Sequence, residues 1–137
     1  MSLLVLDASV ALAWCFPDES SAEAELARQA ARESELIAPS IWPFEVANAL
    51  LVAERKKRLK HAEAERYLKL LDALEIEIEP PSAATASQCA AVARQNGLSV
   101  YAASYLELAT RRKARLATLD ATLAKAARKA GLLLAPR

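Results

Sequence analysis

The chain has very little glycine: two residues among 137, Gly97 and Gly131. Both fall at the ends of predicted helices, so neither a Gly-rich phosphate loop nor a dinucleotide fingerprint can be built. Histidine is scarcer still, with His61 alone beside a basic run. That argues against a histidine-based triad and against a His-rich zinc site. The two cysteines, Cys15 and Cys89, are distant and flanked by apolar residues. They cannot form a four-cysteine site, and they read as buried free thiols in a reducing compartment. No Gly-x-Ser-x-Gly elbow occurs. No apolar run approaches the ~20 residues that span a bilayer. The apolar start "MSLLVLDASVALAWCF" lacks a basic n-region and carries Asp7, so it reads as a strand and a helix of a cytoplasmic protein rather than a leader.

What is present is a globular composition, 54% hydrophobic and 26% charged, consistent with one domain over residues 1–137. The formal net charge of +1 hides an asymmetry. Residues 1–79 carry 9 basic and 15 acidic side chains, whereas residues 80–137 carry 9 and 2. The basic clusters are Arg55-Lys56-Lys57-Arg58 with Lys60, the run from Arg111 to Arg115, and Lys125 with Arg128 and Lys129. They suit a polyanion, with Arg55, Lys56, Lys57, Arg111 and Arg112 as candidate contacts. All three lie at or near predicted helix ends, where cations answer the macrodipole, and position alone favours that structural reading.

The apolar pattern alternates between strand and helix. "LLVLD" reads as a buried strand, and "ASVALAWCF" as a short helix stopped by Pro17. An acidic helix over 19–34 and a strand "LIAP" follow. Ser40 precedes a long helix "IWPFEVANALLVAERKKRL", with Pro43 tolerated in its first turn. A helix over 62–74 leads to a strand "EIEIEP". Ser82 opens the next helix and Gly97 closes it. Ser99 caps the helix that carries Ala102. Then come a strand "RLATLD", a helix "ATLAKAARKA" and a last strand "LLLAP". Short strands, several apolar on both faces, predict an α/β fold: a mostly parallel sheet of four to five strands flanked by helices.

Three carboxylates stand in unusual places. Asp7 ends the first strand, Asp120 ends "RLATLD", and Glu45 sits among apolar residues early in the long helix. Ligands of parallel sheets gather at strand carboxyl ends. Each acid also has a local explanation, Asp7 and Asp120 as helix caps and Glu45 as a dipole partner. Together, crowded carboxylates without a counter-charge call for a hard divalent cation, Mg²⁺ or Mn²⁺, and such a site serves phosphodiester hydrolysis.

Four segments, "VLDASVALAWCFPDE", "APSIWPFEVANALLVAERKKRL", "GLSVYAASYLELA" and "RLATLDATLAKAARKAGL", resemble in order the motif blocks of PIN-domain ribonuclease toxins of the VapC type. The resemblance implies a PIN-like three-layer α/β/α fold. It implies a metal-dependent endoribonuclease, the toxin of a type II toxin–antitoxin system. Asp7, Glu45 and Asp120 would be catalytic and metal-binding, with Ser9, Asn48 and Thr118 in support. It also implies a homodimer, an antitoxin partner, and structured RNA, commonly transfer or ribosomal, as substrate. One position departs. The family pattern reads Tyr-Asp-Ala-x-Tyr-Leu where this chain reads Tyr101-Ala102-Ala103-Ser104-Tyr105-Leu106. Glu107 is a poor substitute, ~140° further around the helix. Either the protein is a PIN fold that binds RNA or a protein partner without cutting, or Ala102 is a deliberate Asp→Ala change that disables a toxic enzyme. The three retained acids favour the second. A phosphoacceptor receiver domain is disfavoured, because a single acid follows the first strand and no lysine follows the last.

Overall fold

A computed structural model describes residues 2–136. Its centre is an all-parallel sheet of β1 (Ser2–Leu6), β2 (Ser34–Ala38), β3 (Glu77–Ile78) and β4 (Arg115–Ala117), in the order β3-β2-β1-β4. Leu4, Val5 and Leu6 of β1 and Leu116 of β4 are fully buried. A strand covered on both faces reads as an unbroken apolar run rather than an alternation.

Among the described residues, seven α-helices flank the sheet: α1 (Ala8–Ala13), α2 (Ala22–Arg32), α3 (Trp42–Arg55), α4 (His61–Asp72), α5 (Ala83–Asn96), α6 (Val100–Arg112) and α7 (Ala121–Lys129). Helix α6 packs on β1 and β4, and α2 packs on β2. Ser82 and Ser99 cap α5 and α6 as expected, their hydroxyls accepting the N–H of Thr85 and Ala102 at 3.1 Å. Gly97 takes φ +65° after α5, a left-handed turn that glycine adopts without a Cβ penalty.

Several boundaries differ from the sequence reading. Helix α1 stops at Ala13, and Pro17–Glu19 form a 3₁₀ turn before Ser21 caps α2. Ile41 rather than Ser40 stands at the cap position of α3. That helix ends at Arg55, because Lys57 turns left-handed at φ +61°. The expected "EIEIEP" strand shrinks to two exposed residues, paired only with Ile37 and Ala38 at the sheet edge. The expected last strand is a single bridge, Leu133 to Leu116.

The chain steps from β1 outward to β2 and β3, then returns to the other side of β1 for β4. The carboxyl ends of β1 and β4 therefore form a topological switch point, where open α/β sheets leave a crevice. Asp7 follows β1 at that crevice, its N–H bonded to the carbonyl of Ala117 at 3.0 Å.

An ion-pair ladder ties the end of α6 to the β3 edge. Arg111 reaches Glu107 at 2.9 Å and Glu79 at 3.2 Å, and Arg112 reaches Glu77 at 3.0 Å and Glu79 at 3.1 Å. Glu107 is buried and has only Arg111 in this ladder, whereas Glu77 is exposed. Arg111→Ala is expected to cost ~1–3 kcal/mol by leaving a buried acceptor unmet. Arg112→Ala should cost less than ~1 kcal/mol, as exposed pairs do. Urea denaturation of the two variants checks this, and equal losses would overturn it.

Candidate active site

Asp7 occupies the cap position of α1, yet its side chain makes no cap hydrogen bond. It turns instead into a hydroxyl cradle. Ser9 Oγ donates to Asp7 Oδ2 at 2.8 Å and Thr118 Oγ1 donates to the same oxygen at 2.6 Å. Each hydroxyl is itself set by a backbone N–H. Leu119 donates to Ser9 Oγ and Asp120 donates to Thr118 Oγ1, both at 3.0 Å. A hydroxyl has one proton to give. With acceptor capacity engaged by the β4–α7 turn, that proton is aimed at Asp7. Neither hydroxyl touches Oδ1.

Glu45 lies in the first turn of α3, half-buried. The buried Tyr105 of α6 donates its phenol hydrogen to Glu45 Oε1. Burial pushes the Glu45 carboxyl above its ordinary range. The Tyr105 hydrogen bond partly offsets this, and the charge of Asp7 adds to it. Asp7 is likewise raised, by burial first and by the charge of Asp120, against the hydrogen bonds from Thr118 and Ser9. Asp7 thus feels Asp120, and Glu45 feels Asp7. Among the described residues, no Lys, Arg or His forms an ion pair with any of the three.

Asp120 divides its role. It is exposed, and its Oδ1 accepts the N–H of Leu123 at 2.8 Å, capping α7. The local explanation offered by the sequence therefore holds for Asp120 and not for Asp7. Among the described residues, no three His, Cys, Asp or Glu side chains stand together as a ready group for a metal ion.

Ala102 is half-buried in the first turn of α6. Three residues separate it from Tyr105, so both lie on the same helix face. Asn48 is exposed one turn beyond Glu45. Arg55, Lys56 and Lys57 are exposed at the far end of α3, Arg55 ~15 Å along its axis from Glu45. Arg111 and Arg112 are engaged in the ladder to Glu107, Glu79 and Glu77, so their charges are already answered. A cleft of about 360 Å³ runs between α3, α5 and α6, and its lining includes none of Asp7, Glu45 and Asp120. Phe44 and Tyr101 line it, 72% and 64% exposed. The sequence reading assigned Tyr105 no role, since its spacing on α6 is that of one more apolar position.

Comparison with known proteins places these features in context. The PIN domain family pattern matches residues 4–129. Ribonuclease VapC3 of Pyrobaculum aerophilum is 35% identical over 123 residues, covering 89% of this chain and 92% of that protein. The crystal structure of PAE2754 from Pyrobaculum aerophilum superposes with a TM-score of 0.69 at 27% identity, over 91% of this chain and 79% of that one. Mycobacterium tuberculosis VapC20, described as a Sarcin-Ricin loop cleaving toxin, superposes with a TM-score of 0.68 at 14% identity, over 97% and 99%. The last of these speaks to the fold alone.

Proposed function

The chain belongs to the PIN-domain family and, within it, to the VapC ribonucleases, and we propose that it is the toxin of a type II toxin–antitoxin pair. In this reading it is a single-domain, cytoplasmic endoribonuclease dependent on Mg²⁺ or Mn²⁺, which cuts structured RNA such as transfer or ribosomal RNA. Ala102 impairs it. The observation that carries the reading is Asp7: a buried carboxylate at the β1–β4 switch point, raised by burial, sensing Asp120 and sensed by Glu45, with no basic ion-pair partner among the described residues.

The donor set fits a hard cation. Every candidate ligand is a carboxylate oxygen, and Mg²⁺ commonly binds through one or two carboxylates with waters completing its shell. Asp7 and Glu45 would hold the ion, with the uncapped oxygen of Asp120 beside them. A bound ion there supplies an activated water and charge neutralisation at the scissile phosphate. The chain's own part is orientation. Ser9 and Thr118 hold Asp7 by one oxygen. The β4–α7 turn holds those hydroxyls through its amides. Without a carboxylate at position 102, α6 contributes no fourth anionic ligand.

Antitoxin and a second copy of the chain are the proposed protein partners. Supporting this, Phe44, Leu51, Leu70, Val100 and Tyr101 are large apolar side chains left exposed, three of them lining the cleft between α3, α5 and α6. No helix among the described residues is long and apolar enough to cross a membrane. A second reading is a PIN fold that binds RNA or protein and cuts nothing. Ala102 and the lack of a preformed metal group among the described residues favour it.

The test is incubation with transfer and ribosomal RNA in Mg²⁺, in Mn²⁺ and in EDTA, read on denaturing gels. Slow cutting at few positions, abolished by EDTA, is expected. Equal cutting in EDTA defeats the metal reading, and RNA retained uncut supports the binding module.

A further inference from the structure

Tyr105 is among the most deeply buried side chains, 1% exposed, although it ends in a hydroxyl. A buried phenol requires a hydrogen-bond partner. Among the described residues its hydroxyl is bonded to Glu45, sixty residues earlier and on another helix. The arrangement parallels what Ser9 and Thr118 do for Asp7: a hydroxyl proton points at a carboxylate. The difference lies in where the donor comes from. Asp7 is held from its own turn and from the residue that follows β4. Glu45 is held from α6, the helix that carries Ala102 on the same face.

We propose that Tyr105 is a positioning residue for Glu45, fixing through Oε1 the direction in which the other carboxylate oxygen faces the Asp7 side of the crevice. The inference rests on the metal-nuclease reading for its purpose, since a fixed Glu45 matters most if Glu45 is a ligand. It makes α6 a two-part contributor to the site. Position 102 would bring charge, and position 105 brings alignment. In this chain the first is absent and the second remains. A ring that only filled the core would be served equally well by phenylalanine. The hydroxyl is what must be accounted for, and its acceptor is a half-buried carboxylate with no ion pair among the described residues.

The experiment is a double-mutant cycle on Mn²⁺ binding, followed by electron paramagnetic resonance. Tyr105→Phe and Glu45→Gln are made singly and together, in this chain and in its Ala102→Asp form. Loss of a side chain that orients a metal ligand typically lowers affinity ~10–100-fold. A loss of about tenfold is expected for Tyr105→Phe, with no further loss once Glu45 is Gln. Affinity unchanged by Tyr105→Phe, or lowered equally in the Glu45→Gln background, overturns the proposal. A second measurement keeps the question open to refutation if Tyr105→Phe folds poorly. With 3-fluorotyrosine at position 105 the donor is kept, and its fluorine resonance should move on Glu45→Gln and on Mg²⁺ addition. A resonance indifferent to Glu45→Gln also overturns it. If neither form binds Mn²⁺, the metal reading falls. The Glu45→Gln fluorine shift then decides by itself whether Tyr105 holds Glu45.

Discussion

Ala102→Asp is expected to raise RNA cleavage in Mg²⁺ or Mn²⁺ by ~100-fold or more, the scale set by accurate placement of reacting groups. Position 102 lies in the first turn of α6, three residues before Tyr105 on the same face, and it is half-buried. A carboxylate there adds a hard anionic ligand near Glu45. Metal affinity, followed by Mn²⁺ resonance or calorimetry, should rise with it. The metal-free protein should gain nothing. Alanine is the best helix former, and a further anion joins Asp7 and Glu45, whose carboxyls are already raised. A melting temperature equal to or below that of the present chain is therefore expected without metal, and a larger rise on adding metal. An aspartate form that binds metal no better and cuts no RNA that the alanine form spares would show that Ala102 is native to a binding protein.

Asp7→Asn is expected to move stability and activity in opposite directions. Burial raises the Asp7 carboxyl above its ordinary range near 3.8. A raised folded-state value means the native protein holds its proton more tightly than the unfolded chain does. Stability therefore falls as pH rises through the interval between the two values, and the cost is complete above it. Glu45 contributes in the same sense. Glu79 works the other way. Burial pushes it up, but hydrogen bonds from Arg112 and Arg111 outweigh that and lower it, so its contribution is lost on acidification. Asparagine at position 7 keeps an amide oxygen for the Ser9 and Thr118 hydroxyls and carries no charge. A stabilisation of ~0.5–2 kcal/mol is expected at pH 7 without metal, the usual scale when an active-site compromise is removed. The gain should vanish below pH ~3.8, where Asp7 is protonated in both states. In the Ala102→Asp form the same change should cost ~100-fold or more in cleavage, because an anchored ligand is lost. Thermal melts from pH 3 to 8, paired with cleavage rates, test both arms. An asparagine form that melts lower at pH 7 contradicts the first, and one that cuts normally contradicts the second.

The two aspartates show how far a sequence argument reaches. At both Asp7 and Asp120 an acid stands between a strand and a helix, so each can be read as a cap or as a ligand. The structure separates them. Asp120 Oδ1 takes the Leu123 amide, whereas Asp7 makes no cap bond and accepts two hydroxyls instead. Thr118, 111 residues away, cannot be matched to Asp7 by any local rule. The arginine pair at the end of α6 tells the same story. As a run of charge it suits RNA or a helix terminus, and only the approach of β3 shows that Glu77 and Glu79 already hold it. Alternation in "EIEIEP" promises a full strand, but only Ile37 and Ala38 offer backbone partners, and pairing ends with them.

What the sequence by itself determined is local and periodic: most helices, the serine caps of α5 and α6, the left-handed turn at Gly97, the parallel sheet, and the family. Such features depend on φ/ψ preference and on apolar spacing within a few residues. What only the tertiary structure decided is where a side chain's hydrogen bond or charge ends. Tyr105 is an apolar position by its spacing, and it became the donor to Glu45 because α6 and α3 meet at the crevice. A periodic pattern records which face is buried. It does not record what the buried polar atom meets, because that partner comes from elsewhere in the chain.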